Sequence, residues 1–332
     1  MEEKTTQRDF AIDVWKGMLV CSMVWAHVIQ LMGDRNHYRV QREISDFVDV
    51  STFSSFFLSF GYVTYLSYFS RRVNLWRIGI SFLNILFSYF LLSFTIQFLI
   101  LHEIDTRTII IETLSFRKMT IYTEFLPAFG LILMIGAMWA KPLGRMVQSP
   151  DRLLIFSSLF LLITLIPDDY FKSPQLALFL GASASGARTY PLAEYMPLFL
   201  IGLYFARHQI KSHRAWFMIG VMGVASFYIY KFLWGLPERF PPSLAWVLFS
   251  IFFAVCGYQL IRIIRFPAVL AEYVSVIGAN TLFFLVVSTI FIVILQKHYD
   301  DLNTLLTLLI TIGIMISTYF LKGLILRTRT NG

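Results

Sequence analysis

The sequence predicts an all-α, polytopic bundle of about ten membrane-spanning helices with no soluble domain. Three observations carry this. Of 332 residues, 57% are apolar and 14% charged, whereas soluble chains carry about 25% charge; so little charge cannot cover a water-soluble body. The apolar residues fall in runs long enough for a hydrocarbon core of about 30 Å, which takes roughly 20 helical residues to cross. Lys and Arg alternate between the loops in the manner that sets orientation. The 33 Phe, 7 Trp and 16 Tyr residues suit lipid-facing and interfacial surfaces.

In chain order the expected spans are Phe10–Met32, Phe47–Phe69, Trp76–Leu101, Phe125–Ala140, Leu153–Ile166, Tyr190–Ala206, Ala215–Trp234, Leu244–Ile264, Val276–Gln296 and Asn303–Leu321. The fourth and fifth are short. Gln175–Ser185 is apolar but only eleven residues long, and reads either as a re-entrant piece or as an outer loop. Non-helical backbone at membrane depth needs cover from protein or water. The polar stretch Met1–Asp9 precedes an apolar run with no small-residue cleavage site, so the first span is expected to be retained.

With a cytoplasmic N-terminus, ten spans put sixteen basic and six acidic residues inside, against eleven basic and fourteen acidic outside. Both termini are therefore expected on the cytoplasmic side, with residues 1–332 forming one membrane domain. The net charge of +8 is then a topology signal, and no nucleic-acid partner is expected; lipid is. Cys21 and Cys256 lie inside apolar runs with no CxxC or metal-ligand spacing. They read as small core residues, and no metal site is expected.

The first span carries the chemistry. It reads Arg8-Asp9-Phe10-Ala11-Ile12-Asp13-Val14-Trp15-Lys16-Gly17, and later Trp25-Ala26-His27. Ionisable residues at membrane depth are costly and mark functional sites by default. Asp13 and Lys16, three apart, can pair on one helix face; as an isolated pair they also fit an interfacial anchor with Lys16 snorkelling. His27 follows Lys16 by eleven residues, about three turns and about 16 Å along the axis. The two share a face, Lys16 near the inner end and His27 toward the outer leaflet. A lone His in an apolar helix also fits a hydrogen-bonded packing residue. Arg71, Arg72 and Arg77 form a basic cluster after the second span. It reads as a topology signal or as a phosphate-binding patch.

This pattern resembles acyltransferase family 3, the multi-spanning enzymes that O-acylate surface polysaccharides. The resemblance lies in Arg8, Asp13, Lys16-Gly17 and His27, in the aromatic stretch Phe56–Tyr62 followed by basic residues, in Glu124-Phe125-Leu126-Pro127, in Tyr190-Pro191 through Gly202, and in Ile277-Gly278-Ala279-Asn280-Thr281-Leu282. The chain departs from the family pattern at Phe60, where the family has Ser, and at Leu285 and Ser288, where it has Tyr and His.

The resemblance implies an acyl-CoA-dependent O-acyltransferase, most simply an O-acetyltransferase, of a bacterial inner membrane, with no tightly bound cofactor. Acyl-CoA would be the donor substrate and a surface or lipid-linked glycan the acceptor. Arg8, Lys16, Arg71, Arg72 and Arg77 would meet the CoA phosphates. His27 would act as general base or acyl carrier, with Glu124 as its orienting carboxylate. Asp13, Trp25, Asp49, Arg188 and Glu194 would serve the substrate. The competing class is a transporter or flippase of an amphiphilic glycan, which needs a polar track but no poised base. A non-catalytic sensor or assembly subunit is a third class.

Overall fold

The computed structural model describes residues 9–69, 75–99, 106–116, 120–166, 179–180, 190–240 and 242–330. Among them every regular element is a helix. The named helices, numbered here in chain order, are α1 (Phe10–Met32), α2 (Arg39–Thr64), α3 (Leu75–Leu99), α4 (Thr106–Leu114), α5 (Phe125–Met138), α6 (Ala140–Met146), α7 (Pro150–Leu161), α8 (Leu192–Arg207), α9 (Arg214–Trp234), α10 (Leu244–Ile263), α11 (Ala268–Ala279), α12 (Thr281–Leu295) and α13 (Thr304–Thr330). A π-helical turn, Tyr65–Phe69, prolongs α2.

Among the described residues, α1, α3, α9, α10 and the Thr304–Ile325 part of α13 are long and apolar enough to cross a membrane. The pairs α5–α6, bent by 90°, and α11–α12, bent by 89°, raise the number from five to seven if each counts as one span. The chain is an integral membrane protein. Two of them lie on the outside of the bundle: only 17% of the apolar window of α9 and 28% of that of α13 are buried. In α1 the figure is 72%, which marks α1 as the axis around which the others pack. Asp9 caps its start by accepting from the Ile12 N–H.

Several expected spans differ in form. α2 starts at Arg39 and not near Phe47, so Glu43 and Asp46 stand on a helix instead of in a loop, one turn and more before Asp49. Lys231 of α9 pays for two of those charges by pairing with Glu43 at 2.7 Å and Asp46 at 2.8 Å. α8 is only 16 residues long, and all but its last residue, Arg207, are buried, so it is a core helix walled by protein. The expected span Val276–Gln296 is not one helix but breaks at Asn280. Asn280 leaves helical geometry, and its side-chain amide donates to the Val276 carbonyl at 2.8 Å. The Thr281 hydroxyl likewise donates to the Gly278 carbonyl at 2.8 Å. Local side-chain bonds of this kind replace ladder bonds and allow the bend. α4 was not expected. Of Gln175–Ser185, only 179–180 lie within the described residues.

Two helix crossings hold the centre. At the first, a Cβ on Gly17 would lie 2.0 Å from the Val274 carbonyl oxygen, and one on Gly278 would lie 1.8 Å from that of Asp13. At the second, a Cβ on Gly61 would lie 2.1 Å from the Phe199 oxygen, and one on Gly202 would lie 2.0 Å from the Leu58 oxygen. Both are backbone-on-backbone contacts of the kind that small residues permit between membrane helices. Gly278→Ala is therefore expected to destabilise the protein by about 1–3 kcal/mol through overpacking, although Ala favours an isolated helix by about 1 kcal/mol. Thermal unfolding in detergent checks this; an unchanged or raised midpoint would mean that the crossing has slack.

Candidate functional site

Lys16 and His27 lie on one face of α1, and each lines a cavity. The Lys16 cavity measures about 550 Å³ and is bounded by α1, α2, α3, α5 and the α11–α12 break. Its polar lining comes from Lys16, Ser59, Thr64, Ser67, Ser81, Asn84, Asn280 and Thr281, the rest being largely Phe, Leu, Ile and Val. The His27 cavity measures about 200 Å³ and is mostly polar: His27, Gln30, Arg35, Asp49, Thr52, Tyr122, Glu124, Tyr190 and Arg239 line it beside Phe53, Phe125 and Phe240.

The two are stacked along the bundle axis. α1 gives Lys16 to one and Met23 to Gln30 to the other, while the antiparallel α2 gives Val48 to Phe53 to the His27 cavity and Phe56 to Ser67 to the Lys16 cavity. Exposed Arg35 and exposed Ser67 bring the two cavities to the surface at opposite ends.

The His27 ring packs on Tyr122, with centroids 4.6 Å apart. Neither of its nitrogens hydrogen-bonds to a described residue. Arg239 is the organising charge opposite. It sits in the turn between α9 and α10, within the Pro-rich sequence 236–242. Its guanidinium pairs with Asp49 at 2.8 Å and donates to the Tyr190 hydroxyl. It also lies over the Tyr190 and Phe240 rings at 5.5 and 4.7 Å. Burial works against the Arg239 charge, but the Tyr190, Asp49 and Glu124 oxygens outweigh it and hold the proton more tightly than usual. Gln30 braces Asp49 at 3.3 Å and Ser45 at 2.9 Å. Planar amide, carboxylate and guanidinium groups beside aromatic faces make a site that can grip vicinal hydroxyls on a small polar ligand.

At the other end, Lys16 pairs with Asp13 at 2.9 Å. Beyond it, Asp9 accepts from Arg262 at 2.5 Å and from the Tyr62 hydroxyl at 2.7 Å, tying α1 to α2 and α10. Arg262 also lies over the Tyr62 and Tyr258 rings.

The expected site residues divide accordingly. His27, Asp49 and Glu124 come together in one cavity. No hydrogen bond joins Glu124 to His27, however; the contact on the imidazole is Tyr122. Trp25 stands apart from them: two residues before His27, it points about 200° away around the helix. Its indole N–H donates to Thr307 of α13 at 3.3 Å, and it does not line the cavity. Glu194 is buried in the first turn of α8 and also lies outside the cavity lining. Arg77 is exposed at the start of α3. It stands one and two turns before Ser81 and Asn84, which line the Lys16 cavity, but it does not line that cavity itself. Arg8, Arg71, Arg72 and Arg188 lie outside the described residues.

Comparisons with protein-family models, with curated proteins and with solved structures found no match.

Sequence reasoning missed Arg239, Gln30 and Tyr122. Gln30 stands three residues after His27, on the same helix face, and that spacing was the available signal. Arg239 lies 212 residues from His27, and its only local sign is a cation held between an aromatic ring and prolines.

The Asp9 cluster yields a pH prediction. Burial would raise the Asp9 carboxyl, but Arg262 and Tyr62 outweigh it and hold it below the ordinary range. A depressed folded value means that stability is present above the unfolded value of about 3.9 and lost as pH falls through the folded one. Melting midpoints taken across acidic pH should fall less steeply in Asp9→Asn than in the parent, with the variant less stable at neutral pH. Parallel curves would show that Asp9 does not contribute this dependence.

Proposed function

We propose that this protein is an acyl-CoA-dependent membrane O-acyltransferase that esterifies a hydroxyl of a surface or lipid-linked glycan, most simply with acetate. The observation that carries the reading is His27. An imidazole without a hydrogen-bond partner among the described residues faces a small polar cavity, in series with a larger apolar cavity on the same helix face. The larger cavity suits a long, thin pantetheine arm, with Lys16 and the basic residues of its own end near the nucleotide phosphates. The smaller suits a sugar ring gripped by Gln30, Asp49, Glu124 and Arg239.

In the proposed reaction the sugar oxygen attacks the thioester carbonyl while His27 takes the hydroxyl proton. The tetrahedral centre collapses, the carbon–sulfur bond breaks, and the imidazolium returns the proton to the departing CoA thiolate. An ester and free CoA result, and His27 ends as it began. An acyl-histidine route would use the same residue as nucleophile. The family resemblance of the first helix supports the same reading. Serial cavities also fit a transporter of an amphiphilic glycan, which would cleave no thioester.

His27→Gln is expected to lower acyl transfer by about 10²-fold or more, the scale of losing a general base, in a protein that still folds and inserts. His37→Gln, in the exposed α1–α2 turn, should stay active. Near-parental transfer by His27→Gln at matched protein levels would remove the base assignment.

The reading also takes the chain as ten spans with both termini cytoplasmic. A reporter active only in the cytosol, fused after Gly332, should give signal. Silence from a correctly inserted fusion would refute the even count.

A further inference from the structure

We propose that Phe129 is the partition between the two cavities and sets the largest acyl group that can cross it. What crosses rests on the acyl-transfer reading; the partition itself rests on packing. The boundary falls at the same level on two helices. α2 lines the His27 cavity as far as Phe53 and the Lys16 cavity from Phe56, and α5 changes sides between Phe125 and Leu126.

Phe129 fills that boundary. It is 5% exposed. Its ring stacks on Phe60, from the Lys16 side, at 4.9 Å and 14°. From the His27 side, Phe53 and Phe125 pack on it at 5.6 and 5.7 Å. Phe57 closes the layer at 5.4 Å. Rings from both walls thus meet on one side chain.

A thioester entering beside Lys16 must bring its acyl end past this ring to reach His27, because the acyl group leads. The Lys16 cavity, at about 550 Å³, has room for the ring to swing aside about its side-chain bonds. A two-carbon group needs only that swing. A longer chain must also lie where Phe53 and Phe125 pack, and a close-packed layer yields such space at a cost.

The test uses full-length protein in sealed membrane vesicles, with Cys21 and Cys256 replaced by Ala. Val63→Cys places a thiol in the Lys16 cavity, and Gln30→Cys one in the His27 cavity. A membrane-impermeant, charged methanethiosulfonate is applied from the His27 side. With Phe129 present, only the Gln30→Cys thiol should react. With Phe129→Ala, the Val63→Cys thiol should react at a comparable rate. Phe129→Leu, which keeps an apolar filler, should fall between and covers a failure of the Ala variant to fold.

In parallel, the ratio of hexanoyl to acetyl transfer should rise about tenfold or more in Phe129→Ala, the scale on which added apolar bulk is discriminated. Unchanged labelling in folded variants overturns the partition. Open labelling with an unchanged ratio, in protein that transfers acetyl, overturns the size limit. If the parent transfers no acyl group while labelling opens, the partition stands, and the acyl reading falls together with the size limit.

Discussion

Where α1 crosses α11, neither backbone has a side chain to keep the other away. Gly17 sits against the Val274 carbonyl and Gly278 against that of Asp13. This contact fixes how near the α11–α12 break comes to the axis helix. It brings Asn280 and Thr281 to the wall of a cavity that Lys16 also lines. With larger residues here the two helices would stand apart, the break would face lipid, and its freed backbone groups would lack cover. The Gly61–Gly202 crossing does the same for α2 and α8 on the other side of the core. The central architecture therefore depends on four glycines that have no chemistry of their own.

On this frame the polar groups are sorted by depth. One end holds Asp9, Tyr62 and Arg262 in a single network, and the other holds Asp49, Tyr190, Gln30 and Arg239. Between them lies a layer of phenylalanines. Buried ion pairs contribute little net stability when whole but cost much when broken. Their more evident effect here is positional. Asp49 orients a guanidinium toward the His27 cavity, and Asp13 keeps Lys16 close to its own helix.

Much of the fold was legible because the bilayer imposes a strong, local constraint. α1, α9 and α10 fall within a residue or two of their expected bounds, since each is a long apolar run with clear polar ends. α2 began earlier than expected because its outer turns carry charges, and hydropathy cannot see that Lys231 neutralises them. The break at Asn280 was hidden for a related reason: an Asn amide bonding back to its own helix looks in sequence like one more tolerated polar residue. In the candidate site, His27, Lys16 and Asp13 could be read from spacing along a single helix. Arg239 could not, because its place depends on how a turn 212 residues away folds over the cavity. Trp25 lies away from the His27 cavity because nearness in sequence to His27 is not nearness around a helix.

The length of α8 has a consequence for the membrane itself. Sixteen residues rise about 24 Å, several ångströms short of a hydrocarbon core of about 30 Å. A short helix exposed to lipid would pull the bilayer thin around it. α8 is walled in by protein, so lipid cannot take up the difference. The difference is filled from above or below by neighbouring chain or by water. Glu194 and Arg207, at its two ends, can then sit deeper than the lipid headgroups around them without meeting hydrocarbon.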